Sequence, residues 1–262
     1  MNINSIRLFC AVFIVVASLT IISLERLFPY KKGQKFFREG FFQDFIFYSL
    51  AQNFLMGLFI SYLTQFMDDI TTLSRLRIIS GFSVWTQIIF FFVIHDFYIY
   101  WFHKYQHKSK IFWRIHEAHH SNTDVDWLAG SKSHMLEILI NQTVEFAPVV
   151  LLGAAPEVAI IKGTIDAVWG MYIHSNINVR SGWLQYFING PEMHRWHHAD
   201  KDEESYNKNF GTKLALWDWL FGTAYLPENK KPSFYGLSYL NFPKNYFSQQ
   251  LYAFRKFTKD DI

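Results

Sequence analysis

The amino-acid sequence predicts an all-α integral membrane protein with about three spans, a helical hairpin that crosses or re-enters the bilayer, and a cytoplasmic helical cap. Three long apolar runs in the first 102 residues predict the spans, because each is long enough to cross a hydrocarbon core. Eight of the 11 histidines lie in three tight clusters with helical spacing, and these clusters define the cap.

The predicted spans cover residues 8–24, 45–67 and 78–102. The first two runs contain no charged residue, and the third is broken only by His95 and Asp96. The first run also has the length of a signal peptide. Few basic residues precede it and no small-residue cleavage site follows it, so a retained span is favoured.

Two weaker apolar stretches, 138–156 and 158–174, predict the hairpin. Gly153 and Pro156 lie between the stretches and predict a turn. The stretches contain Glu145, Lys162 and Asp166, so a pair of soluble core helices is the alternative. A membrane hairpin is favoured because it returns the chain to the side from which it left.

The basic residues predict the orientation of the spans. The loop before the second span carries five basic residues, namely Arg26, Lys31, Lys32, Lys35 and Arg38. The next loop carries only Arg75 and Arg77, so the first loop is expected in the cytoplasm. The third span then returns to the cytoplasm and brings the histidine clusters to that side.

Charge and cysteine content exclude several other classes of protein. A net charge of +3 gives no reason to expect a nucleic acid partner. Cys10 is the only cysteine, which excludes an intrachain disulfide, cysteine-ligated iron–sulfur clusters and cysteine-rich zinc modules.

The histidine clusters predict a site for two metal ions. Their members are His103 and His107; His116, His119 and His120; and His194, His197 and His198. The second and third clusters both read H-x-x-H-H, which places three imidazoles within roughly a 100° arc of a helix. Eight imidazoles exceed the four to six ligands of one ion, so the count indicates two metals.

The three remaining histidines and one carboxylate differ in how well their positions suit metal binding. His174 follows the hairpin at the same membrane edge and is expected to be a ninth ligand. His134 is either a ligand or a contact to a polar neighbour or to the substrate, and His95 is not expected to be a ligand. Asp96 shares a helix face with His103, so it could orient a ligand ring or be an intramembrane polar residue with another function.

The donor set favours oxygen chemistry. A structural zinc site is closed by four ligands, typically including cysteines. Many neutral imidazoles against a bilayer instead predict paired irons that activate O2 beside a lipid. Soluble di-iron bundles carry a Glu-x-x-His pair on each of two helices, whereas this sequence has a single such pair, Glu117 and His120.

These residues resemble the fatty acid hydroxylase superfamily, also called the sterol desaturase family. The resemblance runs from about residue 93 to 226 and includes HDFYIYWFHKYQH, FWRIHEAHHSN, PEMHRWHH and NFGTKLALWDWLFGT. It implies an integral membrane enzyme of the bacterial inner membrane or endoplasmic reticulum. Such enzymes use a histidine-bound di-metal centre, O2 and external electrons to hydroxylate or desaturate a lipid or sterol-like substrate.

By position, the resemblance makes the eight clustered histidines and His174 metal ligands, with no catalytic residue beyond them. Asn209, Gly211 and Asp218 match family elements that look structural or support the ligands. The implied cofactor is two iron ions, for which zinc can substitute, with electrons supplied by a partner protein. The expected domains are membrane spans over 1–80, a di-metal catalytic domain over 81–226 and a C-terminal tail over 227–262.

Two other functions remain open from the residues alone. A di-zinc membrane hydrolase uses a similar ligand set but needs neither O2 nor a reductant. A non-enzymatic metal-binding membrane protein needs polar ligands along the spans, and few are present. Neither the lipid nor the choice between hydroxylation and desaturation follows from the spacing.

Overall fold

The computed structural model describes residues 2–200, 204–232, 234–237 and 241–256, and most of them are helical. The helices are α1 (Ile3–Leu27), α2 (Phe41–Thr71), α3 (Val84–Lys108), α4 (Lys110–His120), α5 (Met135–Leu151), α6 (Pro156–His174), α7 (Pro191–His197), α8 (Leu216–Leu220) and α9 (Tyr246–Tyr252). Two short strands, β1 (Ala199–Asp200) and β2 (Phe234–Tyr235), pair antiparallel. Part of the expected C-terminal tail, at 233, 238–240 and 257–262, lies outside the described residues.

Helices α1, α2 and α3 are long and apolar enough to cross a membrane, so the prediction of three spans is confirmed at the level of length and composition. The predicted start of the third span at residue 78 is wrong. That helix begins at Val84, because the side chain of Ser83 caps it by accepting a hydrogen bond from the backbone N–H of Thr86. The six residues from 78 to 83 form turns instead, and Ile79 packs into the core.

The three long helices carry a large exposed apolar surface. Phe9, Phe54 and Ile89 are 63%, 66% and 62% exposed, and many neighbouring apolar side chains are similarly open. Contiguous apolar surface of this extent is typical of a face that contacts lipid or another apolar partner. The surface therefore agrees with helices that pass through a bilayer.

Helices α5 and α6 form the predicted helical hairpin. Gly153 lies in the connecting turn with φ +69°, and a Cβ there would approach the carbonyl oxygen of Ser74 to 2.7 Å. Pro156 begins α6 at a position that suits proline. Helix α1 packs along α6, α2 packs along α5, and α3 contacts both hairpin helices. Whether the hairpin enters the bilayer stays a prediction.

Buried carboxylates join the long helices to the loops around the histidines. Glu25 of α1 accepts hydrogen bonds from the backbone N–H groups of Trp127 and Asn176, at 2.8 and 2.7 Å. On the other side, Arg38 pairs with Asp126 at 2.8 Å. These contacts hold the segments after α4 and α6 against the first two helices, next to the histidine clusters.

Candidate metal centre

Four helices bring nine of the histidines into one buried region. Helix α3 supplies His103 and His107 near its C-terminal end, and α6 supplies His174 as its last residue. The two H-x-x-H-H boxes occupy the ends of α4 and α7, with the final His198 capping α7. The predicted convergence of the clusters therefore occurs, with His174 included.

The nine histidines divide into two groups, and within each group the candidate ligand atoms lie within 4.8 Å of one another. The five-histidine group contains His103, His107, His116, His120 and His197. The four-histidine group contains His119, His174, His194 and His198. Two groups of five and four match the prediction from the sequence that the imidazoles serve two metals.

Each H-x-x-H-H box contributes to both groups. In α4 the first and third box histidines join the five-histidine group, and His119 joins the other. In α7 the assignment is reversed, and only His197 joins the five-histidine group. The groups adjoin, since the rings of His120 and His198 lie 4.6 Å apart between centroids. The boxes thus interlock instead of each building one site.

Inside both groups the Nε2 atoms point at one another. His103 Nε2 lies 3.1 Å from His116 Nε2, and His174 Nε2 lies 2.8 Å from His194 Nε2. The Nε2 atoms of His107 and His197 are buried and have no hydrogen-bond partner among the described residues. Imidazole nitrogens that converge in this way, with no other hydrogen-bonding group between them, fit divalent metal ions.

The outward Nδ1 atoms of five of these rings are held by acceptors. His103 bonds the carbonyl of Phe210 at 2.8 Å, and His174 bonds that of Gly170 at 2.7 Å. The acceptors for His119 and His197 are the carbonyls of Lys132 and Lys208, at 3.1 and 2.9 Å. A carbonyl oxygen only accepts, so each ring carries its proton on Nδ1 and presents the Nε2 lone pair inward.

The fifth outward acceptor is Glu137, which sequence reasoning missed. Its Oε1 lies 2.7 Å from His116 Nδ1 and also accepts a hydrogen bond from Gln106 Nε2 at 2.9 Å. A carboxylate behind a histidine ligand fixes the ring and raises its basicity. The one sequence signal was its place three residues after His134 in SKSHMLE, which does not reveal its partner.

Burial keeps the clustered imidazoles neutral. Burial, with a smaller contribution from neighbouring histidines, lowers the pKa of His116 and of His119 to about 3. The rings are therefore neutral at pH 7, with one nitrogen free of a proton, which is the form that binds a metal.

Gly130 makes room for the ring of His174. A Cβ at this glycine would lie 2.7 Å from His174 Nδ1 and 3.0 Å from the carbonyl oxygen of Gly170. The backbone therefore passes directly over the ring, and any larger residue would displace it.

The remaining predicted site residues lie around the two groups. His134 belongs to neither group, and its Nε2 bonds the carbonyl of Gln250 at 2.8 Å. Asp96 accepts hydrogen bonds from Thr212, Trp217 and two backbone N–H groups between them, so it holds the 212–217 segment and not a histidine ring. His95 lies outside both groups in a separate polar cluster.

Asn209 and Asp218 position the carbonyl that holds His103. Asp218 accepts the backbone N–H groups of Phe210 and Gly211 at 2.8 and 2.7 Å. Asn209 adopts φ +58°, and its side chain bonds the backbone of Met193. Both residues therefore influence the His103 ring indirectly, by fixing the main chain that carries the Phe210 carbonyl.

This geometry combines three helices that are long and apolar enough to cross a membrane with two buried groups of imidazoles, each of which could hold a metal ion. The sequence profile of the fatty acid hydroxylase family matches residues 88–223, which is just over half of the chain. The protein belongs to the fatty acid hydroxylase family, and the resemblance found in the sequence is confirmed.

Curated relatives include lipid-modifying enzymes. The chain is 28% identical over 234 residues to the ornithine lipid hydroxylase OlsE of Rhizobium tropici, covering 86% of this chain and 70% of that protein. It is 31% identical over 157 residues to human alkylglycerol monooxygenase, covering 60% of this chain and 34% of that protein. The predicted enzyme class, an oxidoreductase acting on lipids, agrees with these names.

A third relative carries a different activity in its name. The chain is 28% identical over 141 residues to the very-long-chain aldehyde decarbonylase GL1-8 of Oryza sativa subsp. indica, covering 53% of this chain and 52% of that protein. The chain thus spans about a third to about two thirds of these relatives' lengths. No solved structure matches it significantly.

Proposed function

We propose that this protein is a membrane-bound di-iron oxygenase that uses O2 and external electrons to hydroxylate or desaturate a lipid. The observation that carries the proposal is the pair of adjacent, buried imidazole groups within one domain of the fatty acid hydroxylase family. The relatives named for ornithine lipids and alkylglycerols support a lipid as the substrate class.

The nine histidines are the proposed metal ligands, five to one ion and four to the other. Imidazole suits iron, zinc, copper and nickel, so the donor set alone allows more than one metal. Iron is proposed because it supplies the activation of O2 against an unreactive C–H bond when bound. Zinc binds such sites at least as tightly as ferrous iron and can replace it in a protein made in a foreign host.

The protein's own residues hold the metals, fix the imidazole protons and keep water away. All nine imidazoles except His107 belong to buried residues, so little solvent reaches the centre. Glu137 and the main-chain carbonyls hold protons on Nδ1, away from the metals. A cavity of about 210 Å³ adjoins His103, His116, His119, His174 and His194, and we propose that a lipid chain enters it.

The remaining assignments concern the whole protein. We propose spans over 1–80, the di-metal domain over 81–226 and a tail over 227–262. The basic first loop supports a cytoplasmic centre in a bacterial inner membrane or the endoplasmic reticulum. The electrons are proposed to come from a partner protein.

The test is oxygen-dependent turnover by the iron-loaded protein in lipid vesicles. An ornithine lipid and an alkylglycerol are supplied separately with a reductant and a redox carrier, and products are analysed by mass spectrometry. The expected product gains one oxygen atom or loses two hydrogen atoms, and none forms without O2. Lipid cleavage with addition of water that proceeds equally under argon would instead indicate a hydrolase, and no O2-dependent product from either lipid would contradict the proposal.

A further inference from the structure

The cavity beside the histidine centre ends at a second cluster of polar side chains. That end is lined by His95, Asn141, Glu145, Asp166 and Lys213, with Trp169 in the wall. His95 precedes His103 by eight residues on α3, so the two ends lie roughly 12 Å apart along the helix. One cavity therefore joins the proposed metal centre to a distant polar site.

A lysine fills the middle of this polar cluster. Lys162 Nζ donates hydrogen bonds to Asp166 Oδ2 at 2.7 Å, to His95 Nδ1 at 3.1 Å and to Glu145 Oε1. His95, Glu145 and Asp166 are close enough together to hold a metal ion. The buried ammonium group of Lys162 already takes the place of that cation, so the cluster is not a third metal site.

Lys162 also determines where the proton of His95 lies. An ammonium group only donates, so Nδ1 accepts and the neutral ring carries its proton on Nε2. That N–H is buried and has no hydrogen-bond partner among the described residues, and Glu145 Oε2 at 3.7 Å is too distant to accept. His95 is only 8% exposed and lines the cavity, so its donor is shielded from bulk solvent.

A second buried donor without an acceptor lines the same cavity. The indole Nε1 of Trp169 is buried and has no partner in the part of the chain that the structure describes. Indole nitrogen donates and does not accept. Two unmatched donors in one cavity indicate a ligand that brings an acceptor.

The positive and negative charges at this end nearly balance, which disfavours an ionised ligand group. Lys162 and Lys213 bring two positive charges, and Asp96, Glu145 and Asp166 bring three negative charges. An anion would therefore gain no net attraction after losing its water, and a cation would meet N–H donors. A neutral oxygen acceptor avoids the desolvation penalty of an ion and can accept hydrogen bonds from the N–H donors.

We propose that this end of the cavity binds an uncharged oxygen acceptor of the lipid, an amide, ester or ether oxygen, through His95 Nε2 and Trp169 Nε1. The choice of a lipid as ligand rests on the proposed function. The acceptor and the carbon at the metal centre would then be roughly 12 Å apart, so the position of oxidation is measured from the polar linkage of the lipid.

Binding of two matched probes tests the inference without turnover. Tritiated N-dodecylacetamide and tritiated dodecane share an alkyl chain, but only the first carries an amide oxygen. Their affinities are measured for the metal-loaded protein in detergent, without O2 or reductant, for the natural protein and for Trp169→Phe. Trp85→Phe is the control, because Trp85 lies on the same helix as His95 and is 67% exposed.

The natural protein and Trp85→Phe should prefer the amide, and Trp169→Phe should weaken amide binding about five- to tenfold with dodecane binding unchanged. Retained dodecane binding shows that the variant is folded. Equal loss of both probes, or an unchanged amide affinity, would overturn the inference. The result is independent of oxygenase activity, so failure of the proposed function would appear separately, as absent turnover with intact amide preference.

Discussion

The two buried polar clusters of this protein contain similar ligand atoms but differ in their internal cations. In the histidine groups, no lysine or arginine of the described chain hydrogen bonds to an inward nitrogen, and the Nε2 atoms of His107 and His197 have no partner among the described residues. In the second cluster, Lys162 lies among the ligand atoms and satisfies them. Close ligand atoms therefore predict a metal only where the chain does not supply its own cation.

Removing one proposed ligand from either histidine group should have the largest effect. His120→Ala and His198→Ala act on different groups, and each should lose at least one metal and reduce oxygenation more than about 100-fold. The measurement is iron per chain by elemental analysis, together with product formation. His134→Gln is the matched control, since His134 lies outside both groups; equal iron loss there would contradict the assignment.

Removing the internal cation should have the next largest effect. Lys162→Met leaves the buried Glu145 without its ammonium partner and Asp166 with Lys213 alone, and it should destabilise the protein by about 3–5 kcal/mol. Unfolding in detergent measures this loss. Added Zn²⁺ should restore part of the stability, because the three remaining groups have metal-ligand spacing. Unchanged stability would show that Lys162 is not the compensating cation.

The smallest of the three effects concerns the carboxylate behind a ligand. Glu137→Gln can no longer act as a charged acceptor for His116, so metal affinity should fall about 10- to 100-fold. Metal competition with a chelator measures the change. Glu117→Gln is the control on the neighbouring helix, because Glu117 pairs with Arg255; an equal effect there would indicate a general loss of stability.

The sequence predicted the parts of the centre that depend on local spacing. The two boxes indicated candidate ligands because residues three and four apart share a helix face. The count of imidazoles predicted two metals, and His174 was found from its place at the end of the hairpin. Which box histidine joins which group was not predictable, because that depends on the crossing of α4 and α7.

Long-range partners explain what sequence reasoning missed. Glu137 carries no motif, and its role arises only where α5 packs behind α4. Lys162 and Asp166 looked like isolated charges that weakened the hairpin prediction. In the fold they neutralise one another with Glu145 and His95, so the helices keep a buried polar cluster without exposing it.

The orientation of the imidazoles has an evolutionary consequence. Four of the five outward acceptors are main-chain carbonyls, at Phe210, Lys132, Gly170 and Lys208. A carbonyl survives any substitution at its own position, so mutational drift there leaves the imidazole protons in place as long as the chain path persists. Only at Glu137 does a single codon change remove an acceptor, so among the five acceptor positions this one is the most sensitive to substitution.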